Sequence, residues 1–372
     1  MLLVPATVLA QYTISGKVVT ASDRKPVANA SVFLNSTTTG AKTADDGSFT
    51  LNNVRPGQYD LVVSIVGYET FHQPVMVNKD IALPGIELAV KTIRLKEVRI
   101  GPNRNRDNDY AKFKRLFLGV SEFADECKIL NPNLLDFDYD PETRIFTATS
   151  SDFLIIENKA LGYTIKYLLA ELTNDGNSGM TYFEGSASFE ELRGSHRQQL
   201  KWQKNRLKAY NGSSMHFLRS AITNTIEKEG FRVLRLKRKP NPDLSSNQRI
   251  KYIETLVTTP LTSKDFVKPT NVKGQFALGF DDCLYVLYDK KKAAGTNEDK
   301  LPAATTTPDY LNDPLTTTII FAEPYAFFDN NGIIINPRSV IFEGNWGRSL
   351  TADLLPVDYV PDKPESEKVH RR

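Results

Sequence analysis

Polar and apolar residues alternate at period two through Ser48-Phe49-Thr50-Leu51, and Tyr59, Leu61 and Val63 share one face of the run that follows. Alternation of this kind predicts half-buried strands. Asp46-Gly47 ahead of the first run is turn chemistry, because Gly accepts a positive φ and the Asp side chain bonds its own backbone. Arg55-Pro56-Gly57 punctuates between the runs, and Gly67-Tyr68 closes the second. Upstream, residues 13–20 and 30–34 read as two more short strands around the turn-rich segment 22–26. Short strands with a turn every 8–12 residues or so predict an all-β sandwich, here over residues 11–98.

Beyond residue 98 the pattern changes. Residues 99–109 are polar and charged, contain Gly101 and Pro102, and read as a linker. From Tyr110 onward Phe113, Leu116, Phe117, Val120, Phe123, Ala124 and Cys127 recur at three and four, which predicts a helix ended by Asn131-Pro132. Strands at 135–139 and 144–149 flank the turn Asp140-Pro141-Glu142-Thr143 and predict a hairpin. Further strands are expected at 153–156, 163–172 and 179–185, then helices at 195–210 and 213–228 with Ser195 and Ser213 as N-caps. Strands resume at 231–237, 276–288, 319–321 and 332–342. Mixed order predicts a second, α+β domain over 110–360, with a mostly antiparallel sheet and about three helices, followed by a charged tail at 361–372.

The first region resembles a known family at specific residues. The ordered set Gly16 with its flanking strand, Pro26-Val27, Asp46-Gly47-Ser48-Phe49, Pro56-Gly57-Gln58-Tyr59 and Gly67-Tyr68 is similar to the carboxypeptidase regulatory-like domain, over about residues 12–97. The resemblance implies a seven-stranded, transthyretin-like or Ig-like sandwich. It also implies a setting, since such domains stand behind the peptidase domain of some metallocarboxypeptidases and at the periplasmic N-terminus of Bacteroidota outer-membrane receptors. It implies no activity, because the peptidase zinc of those enzymes lies in another domain. Residues 108–360 resemble the body of uncharacterised Bacteroidota proteins that carry this domain first, through Cys127-Lys-Ile-Leu-Asn-Pro132, residues 155–165 and Tyr210-Asn-Gly-Ser-Ser-Met-His216.

Composition adds the compartment. The chain has 372 residues, 40% apolar and 24% charged, enough for two buried cores in an ordinary globular protein. Residues 1–10 are apolar and end in Val8-Leu9-Ala10 before Gln11, the small-residue pattern of signal-peptidase cleavage. No Lys or Arg precedes the run, so the expectation is the remnant of a leader, with a buried N-terminal strand as the alternative. The expected location is periplasmic, with no transmembrane segment because no other run is long enough. Cys127 and Cys283 could pair in an oxidising space or remain two separate buried thiols.

Candidate chemistry is sparse. None of His72, His196, His216 and His370 begins a His-x-x-Glu or His-Glu-x-x-His pattern, which argues against a zinc peptidase. Gly194-Ser195-His196 and Gly212-Ser213-Ser214 do not match Gly-x-Ser-x-Gly. No phosphate-binding glycine loop is present. Asp136, Asp138 and Asp140 alternate on one strand face but lack the Gly and distal Glu of a calcium loop, so a solvated strand and turn is the preferred reading. No metal, cofactor or catalytic residue is therefore assigned.

Charge is the feature that stands out. Between Arg193 and Lys251 there are fifteen Lys or Arg against three Asp or Glu, a local charge of +12, and since the whole chain carries +3 the remainder carries −9. Arg197, Lys201, Lys204 and Lys208 fall at i, i+4, i+7 and i+11 of the expected helix, with Arg193 one turn earlier, and form one basic stripe. Trp202 and Tyr210 lie at other helical angles and are expected in the core. The stripe reads as a solvated face beside the chain's own acidic surface, as a dock for an acidic partner protein, or as a contact with anionic lipid or glycan. Nucleic acid is not an expected partner in the periplasm. The combined expectation is a non-catalytic periplasmic interaction or adaptor protein associated with an outer-membrane complex. The alternative is a hydrolase or glycan-acting enzyme whose carboxylates are dispersed through 110–360.

Overall fold

The computed structural model describes residues 11–91, 105–242, 252–289 and 316–361. The leader expected at 1–10, the first part of the linker at 99–109 and nearly all of the tail at 361–372 lie outside the described residues.

Eight strands build the first region: β1 (Tyr12–Thr20), β2 (Ser31–Leu34), β3 (Gly40–Lys42), β4 (Ser48–Val54), β5 (Gly57–Ser64), β6 (Phe71–Val77), β7 (Ile81–Ala82) and β8 (Ile86–Leu88). In one sheet β1 pairs antiparallel with β4 and parallel with β7 and then β8, and the other sheet runs β3-β2-β5-β6. Pro84-Gly85 separates β7 from β8 along the same edge of β1. Pro lacks the N–H that a ladder needs. Eight segments thus occupy seven strand positions, as the family resemblance implies. Ile14 and Val18, Phe49 and Leu51, Leu61 and Val63, and Val75 and Val77 are buried, which is the inward half of each alternation. A fully buried side chain of this size contributes about 1.5–3 kcal/mol.

The turns form for the reasons read from the sequence. Asp46 Oδ1 accepts from the Ser48 N–H at 3.0 Å and from its Oγ at 2.6 Å. Gly47 has φ +79°, and a Cβ there would stand 2.4 Å from the Val18 carbonyl oxygen. Phe49 packs its ring over Gly16, Pro56 and Gly57 lead into β5, Tyr59 is buried, and Gly67 precedes Tyr68, which bridges to Val90.

Contacts divide the molecule into two units, one running up to Asn205 and including Leu355–Val360, the other covering Arg206–Leu354. The residues after the linker up to 205 therefore gather with the sandwich. They form helix α1 (Arg106–Phe117) and a six-stranded antiparallel sheet of β9 (Cys127–Ile129), β10 (Leu135–Asp140), β11 (Ile145–Ser150), β12 (Leu154–Asn158), β13 (Tyr163–Asp175) and β14 (Thr181–Glu191). The hairpin at 135–149 stands as expected. Two backbone bonds, Ser36 N–H to Ala187 at 2.6 Å and Phe189 N–H to Thr37 at 2.9 Å, tie the sandwich to β14. Val357 N–H reaches Ser36 at 2.6 Å, and Asp358 accepts from the Thr38 N–H at 3.1 Å.

One expectation in this unit needs correction. The long helix expected through Cys127 stops at Phe117, because Gly119 at φ +95° takes the left-handed conformation that ends helices. It also starts earlier, at Arg106 rather than Tyr110, with Asn105 capping Asp107. Phe123 stays buried but on a separate turn, Val120 is exposed, and Cys127 opens a strand.

Helix α2 (His196–Tyr210) runs across the division between the units. The second unit continues with α3 (Ser214–Ile222), β15 (Phe231–Pro240), β16 (Tyr252–Leu261), α4 (Ser263–Phe266), β17 (Val267–Pro269), β18 (Gln275–Leu278), β19 (Cys283–Tyr288), β20 (Thr316–Phe321), β21 (Ala326–Asp329), β22 (Val340–Gly344) and α5 (Asn345–Arg348). A five-stranded antiparallel sheet runs β16-β15-β19-β20-β22, and a three-stranded one runs β17-β18-β21. Phe217, Phe231, Phe266, Phe328 and Trp346 fill the core beneath them. The mostly antiparallel α+β expectation is met.

Three bounds in this unit differ from the sequence reading. The helix expected over 213–228 ends at Ile222, where the Thr223 hydroxyl bonds back to the Arg219 and Ser220 carbonyls and Asn224 turns to φ +54°. The single strand expected over 276–288 is two strands in different sheets, split at Gly279-Phe280-Asp281-Asp282. The strand expected over 332–342 begins only at Val340, since Asn336-Pro337 opens a 3-10 turn.

Candidate interaction surface

Helix α2 begins with a reciprocal cap. Ser195 Oγ accepts from the Gln198 N–H at 3.4 Å, and Gln198 Oε1 accepts from the Ser195 N–H at 2.9 Å. Two orphan amides are satisfied in this way, which is why Ser195 stands there. Trp202 then anchors the helix: it is buried, and its indole N–H donates to the Lys159 carbonyl at 2.9 Å. Its ring fits only because Gly162 and Gly194 lack side chains, since a Cβ would come within 2.2 Å of it at Gly162 and 2.4 Å at Gly194. Asn205 adds a bond to the Ala160 carbonyl at 2.8 Å. Tyr210, also buried, stacks 4.8 Å from His216, so both aromatic residues expected in the core are there.

The opposite face carries the basic stripe. Arg197, Lys201, Lys204 and Lys208 are all exposed, as is Arg193. Arg193 precedes the helix, in the segment leaving β14, so the continuous stripe on α2 has four members. Lys201 pairs with Glu126 at 2.8 Å, and both side chains remain about half exposed. Among the described residues, Arg193, Arg197 and Lys204 have no ion pair. Two exposed leucines stand on the same side of the helix, Leu200 at 53% and Leu207 at 37%, two turns apart. The sequence reading named the cations and passed over the leucines, although their spacing of seven marks one helical face.

Such a ridge works against its own helix. Arg197 with Lys201, and Lys204 with Lys208, are like-charge pairs at i, i+4, each costing a few tenths of a kcal/mol, about 0.2–0.5. α2 has no acidic residue in its first turn to offset this. Burial of Trp202, worth about 1.5–3 kcal/mol on the scale of large side chains, holds the helix in place regardless.

The other polar groups weighed in the sequence have structural employment. Ser213 caps α3 by accepting from the His216 N–H at 3.1 Å. His216 is buried among Tyr210, Phe231 and Tyr288, its Nδ1 accepts from the Gly212 N–H at 3.2 Å, and its Nε2 lies 3.4 Å from Glu229. That arrangement fixes the tautomer with the proton on Nε2. His72 pairs with Asp60 at 2.8 Å, a bond that raises its pKa, with burial opposing. Asp140 accepts from the Glu142 N–H at 2.9 Å and caps its turn, while Asp136 and Asp138 face solvent. Cys127 and Cys283 are both thiols, and burial pushes the Cys283 thiol up. Among the described residues, no helix is long and apolar enough to cross a membrane, which says nothing of a β-barrel.

Comparison with known proteins identifies the first region. Residues 14–100 match the family described as the CarboxypepD_reg-like domain. No curated protein matches the chain. Among solved structures, a cohesin–X-dockerin complex from Acetivibrio cellulolyticus is 28% identical over 21% of this chain and 58% of that one, with a TM-score of 0.19, so this chain spans less than two thirds of that relative. A protein of unknown function from Bacteroides fragilis NCTC 9343 is 12% identical, covering 74% of this chain and 87% of that one, at a TM-score of 0.18. A DUF3823 family protein from Bacteroides uniformis ATCC 8492 is 8% identical, covering 75% and 88%, at a TM-score of 0.17. Scores of this size carry no argument about function.

Proposed function

We propose that this chain is a non-catalytic interaction protein of the periplasm that docks an acidic protein surface, in an outer-membrane complex, through the exposed face of α2. One observation carries the reading: four cations and two leucines share the solvent side of a helix that is anchored from behind by Trp202. Solubility does not call for an exposed apolar pair beside a basic stripe. The leucines offer area to a partner, and the cations supply a summed field that steers it. The compartment rests on residues 1–10 and on the setting in which CarboxypepD_reg-like domains occur. The non-catalytic part rests on the employment of Ser195, Ser213, His72 and His216 in caps and internal pairs.

The test is capture from an outer-membrane fraction by the wild-type chain and by a variant with Arg197, Lys201, Lys204 and Lys208 all changed to Gln. Capture by the wild type should fall steeply with salt, because a summed field is screened within about 8–10 Å at ordinary ionic strength. The variant should capture several-fold less and keep its Tm, since relief of the i, i+4 repulsion balances loss of the exposed Glu126 pair. Undiminished capture by a variant with lowered Tm would mean the stripe serves the fold.

A further inference from the structure

The second unit holds a cleft of about 570 Å³, within the size range of ligand sites, about 300–1,000 Å³. Three connections build it: the turn between β18 and β19, the loop between β20 and β21, and the segment from α4 into β17. Its walls combine the rings of Phe280, Phe321 and Tyr325 with the carboxylates of Asp281 and Glu323 and the ammonium of Lys268. None of these residues contributes to the α2 ridge.

Tyr325 is an exposed aromatic residue, 45% accessible, yet it is held in place. Its ring lies against Gly279, where a Cβ would meet it at 2.6 Å. Asn336 clamps the loop: its Nδ2 donates to the Tyr325 carbonyl at 3.1 Å and stands 3.5 Å from Glu323 Oε2, and its Oδ1 accepts from the Phe327 N–H at 2.6 Å. A flat ring fixed from behind, with carboxylates and an amine around it, is preorganised for a ligand that has an apolar face and a rim of groups that both donate and accept hydrogen bonds. Asp265 lines the same cleft but is committed to the Thr262 N–H and hydroxyl at 2.7 and 2.8 Å.

We infer that this cleft binds neutral glycan chains, with Tyr325 stacking on the C–H face of a pyranose and Asp281, Glu323 and Lys268 bonding its hydroxyls. A sugar ring presents axial C–H groups on its faces and hydroxyls on its edge, which matches both parts of the wall. Three carboxylates against one ammonium disfavour an anionic ligand. A cationic peptide would use the ring and carboxylates, but Lys268 repels it, and the cleft presents a wall rather than an enclosing aromatic cage. The inference stands independently of the docking role of α2.

Affinity gel electrophoresis of the full chain through soluble xylan, mannan, laminarin and starch is the test, with a lysine-rich peptide as the cationic arm. At least one neutral polysaccharide should retard the wild type. Tyr325→Ala should weaken that retardation roughly tenfold or more, a factor equal to the loss of one good contact. Because Tyr325 is exposed, its Tm should hold. Gly279→Ala should also weaken binding, because its Cβ would meet both the Tyr325 ring and, at 2.7 Å, the Pro324 carbonyl oxygen of the same loop. Asp281→Ala serves as a second variant with no packing role. Release of reducing ends from a retarding glycan would support the site while contradicting the non-catalytic reading above. Retardation by none of the four polysaccharides, retardation unchanged by Tyr325→Ala and Asp281→Ala, or binding of the lysine-rich peptide alone would overturn the inference.

Discussion

His72 and Asp60 show how one side-chain pair links sequence to a measurable pH dependence. They face each other across β5 and β6, where Val62 is registered with His72, and the ring nitrogen lies 2.8 Å from the carboxylate. The hydrogen bond that His72 donates to the Asp60 carboxylate raises the His72 pKa above its ordinary 6.5. A raised value in the folded state means that the folded chain holds the proton more tightly, so the pair stabilises below pH 6.5 or so and the gain disappears as pH rises through the folded pKa. Asp60→Asn should therefore lower Tm at about pH 5 and leave it unchanged near pH 9, with a small effect because both groups are partly exposed. Thermal melts of the two proteins across that range check it; a Tm gap that widens toward high pH would contradict the assignment.

At the scale of elements, Trp202 is the main anchor of α2. Trp202 fills the space left by two glycines, so Trp202→Ala should cost about 3–5 kcal/mol, the usual range for emptying a large aromatic site. Urea unfolding measures this, and a loss under about 1 kcal/mol would show that the helix is held by something else. The residues that position α2 were legible in part: Ser195 as its N-cap and a Trp off the basic angle, while the reciprocal bond from Gln198 was not read. What was missed follows a pattern. Gly119 interrupts an apolar period of three and four that otherwise continues to Cys127, and a single glycine in the left-handed region outweighs four periodic residues downstream. β16 went unread because its burial is intermediate or exposed along its whole length, as on a sheet edge, so no alternation marks it. Gly279-Phe280-Asp281-Asp282 was absorbed into a strand because apolar residues flank it on both sides. Gly279, Phe280 and Asp281 supply part of the cleft wall, so misreading the turn hid the cleft.

For the whole molecule, the sequence separates charge: +12 between Arg193 and Lys251 against −9 elsewhere. The structure places four cations of that positive segment, Arg197, Lys201, Lys204 and Lys208, on the exposed side of α2 and pairs Lys201 with Glu126. The sandwich expected over residues 11–98 was legible because its turns, Asp46-Gly47 above all, are local chemistry. The bonds from Ser36 and Thr37 to β14 were not, because they join backbone groups about 150 residues apart that no local pattern connects. The claim that matters most is that α2 is an interface. A photo-crosslinking amino acid placed at Leu200, between Arg197 and Lys204, reads that claim directly in the native cell envelope, with an equivalent probe at exposed Val272 as control. The account predicts a discrete adduct with an acidic envelope protein from Leu200, absent from Val272 and lost when Arg197, Lys201, Lys204 and Lys208 are changed to Gln. No adduct at Leu200, or the same adducts from both positions, would contradict it.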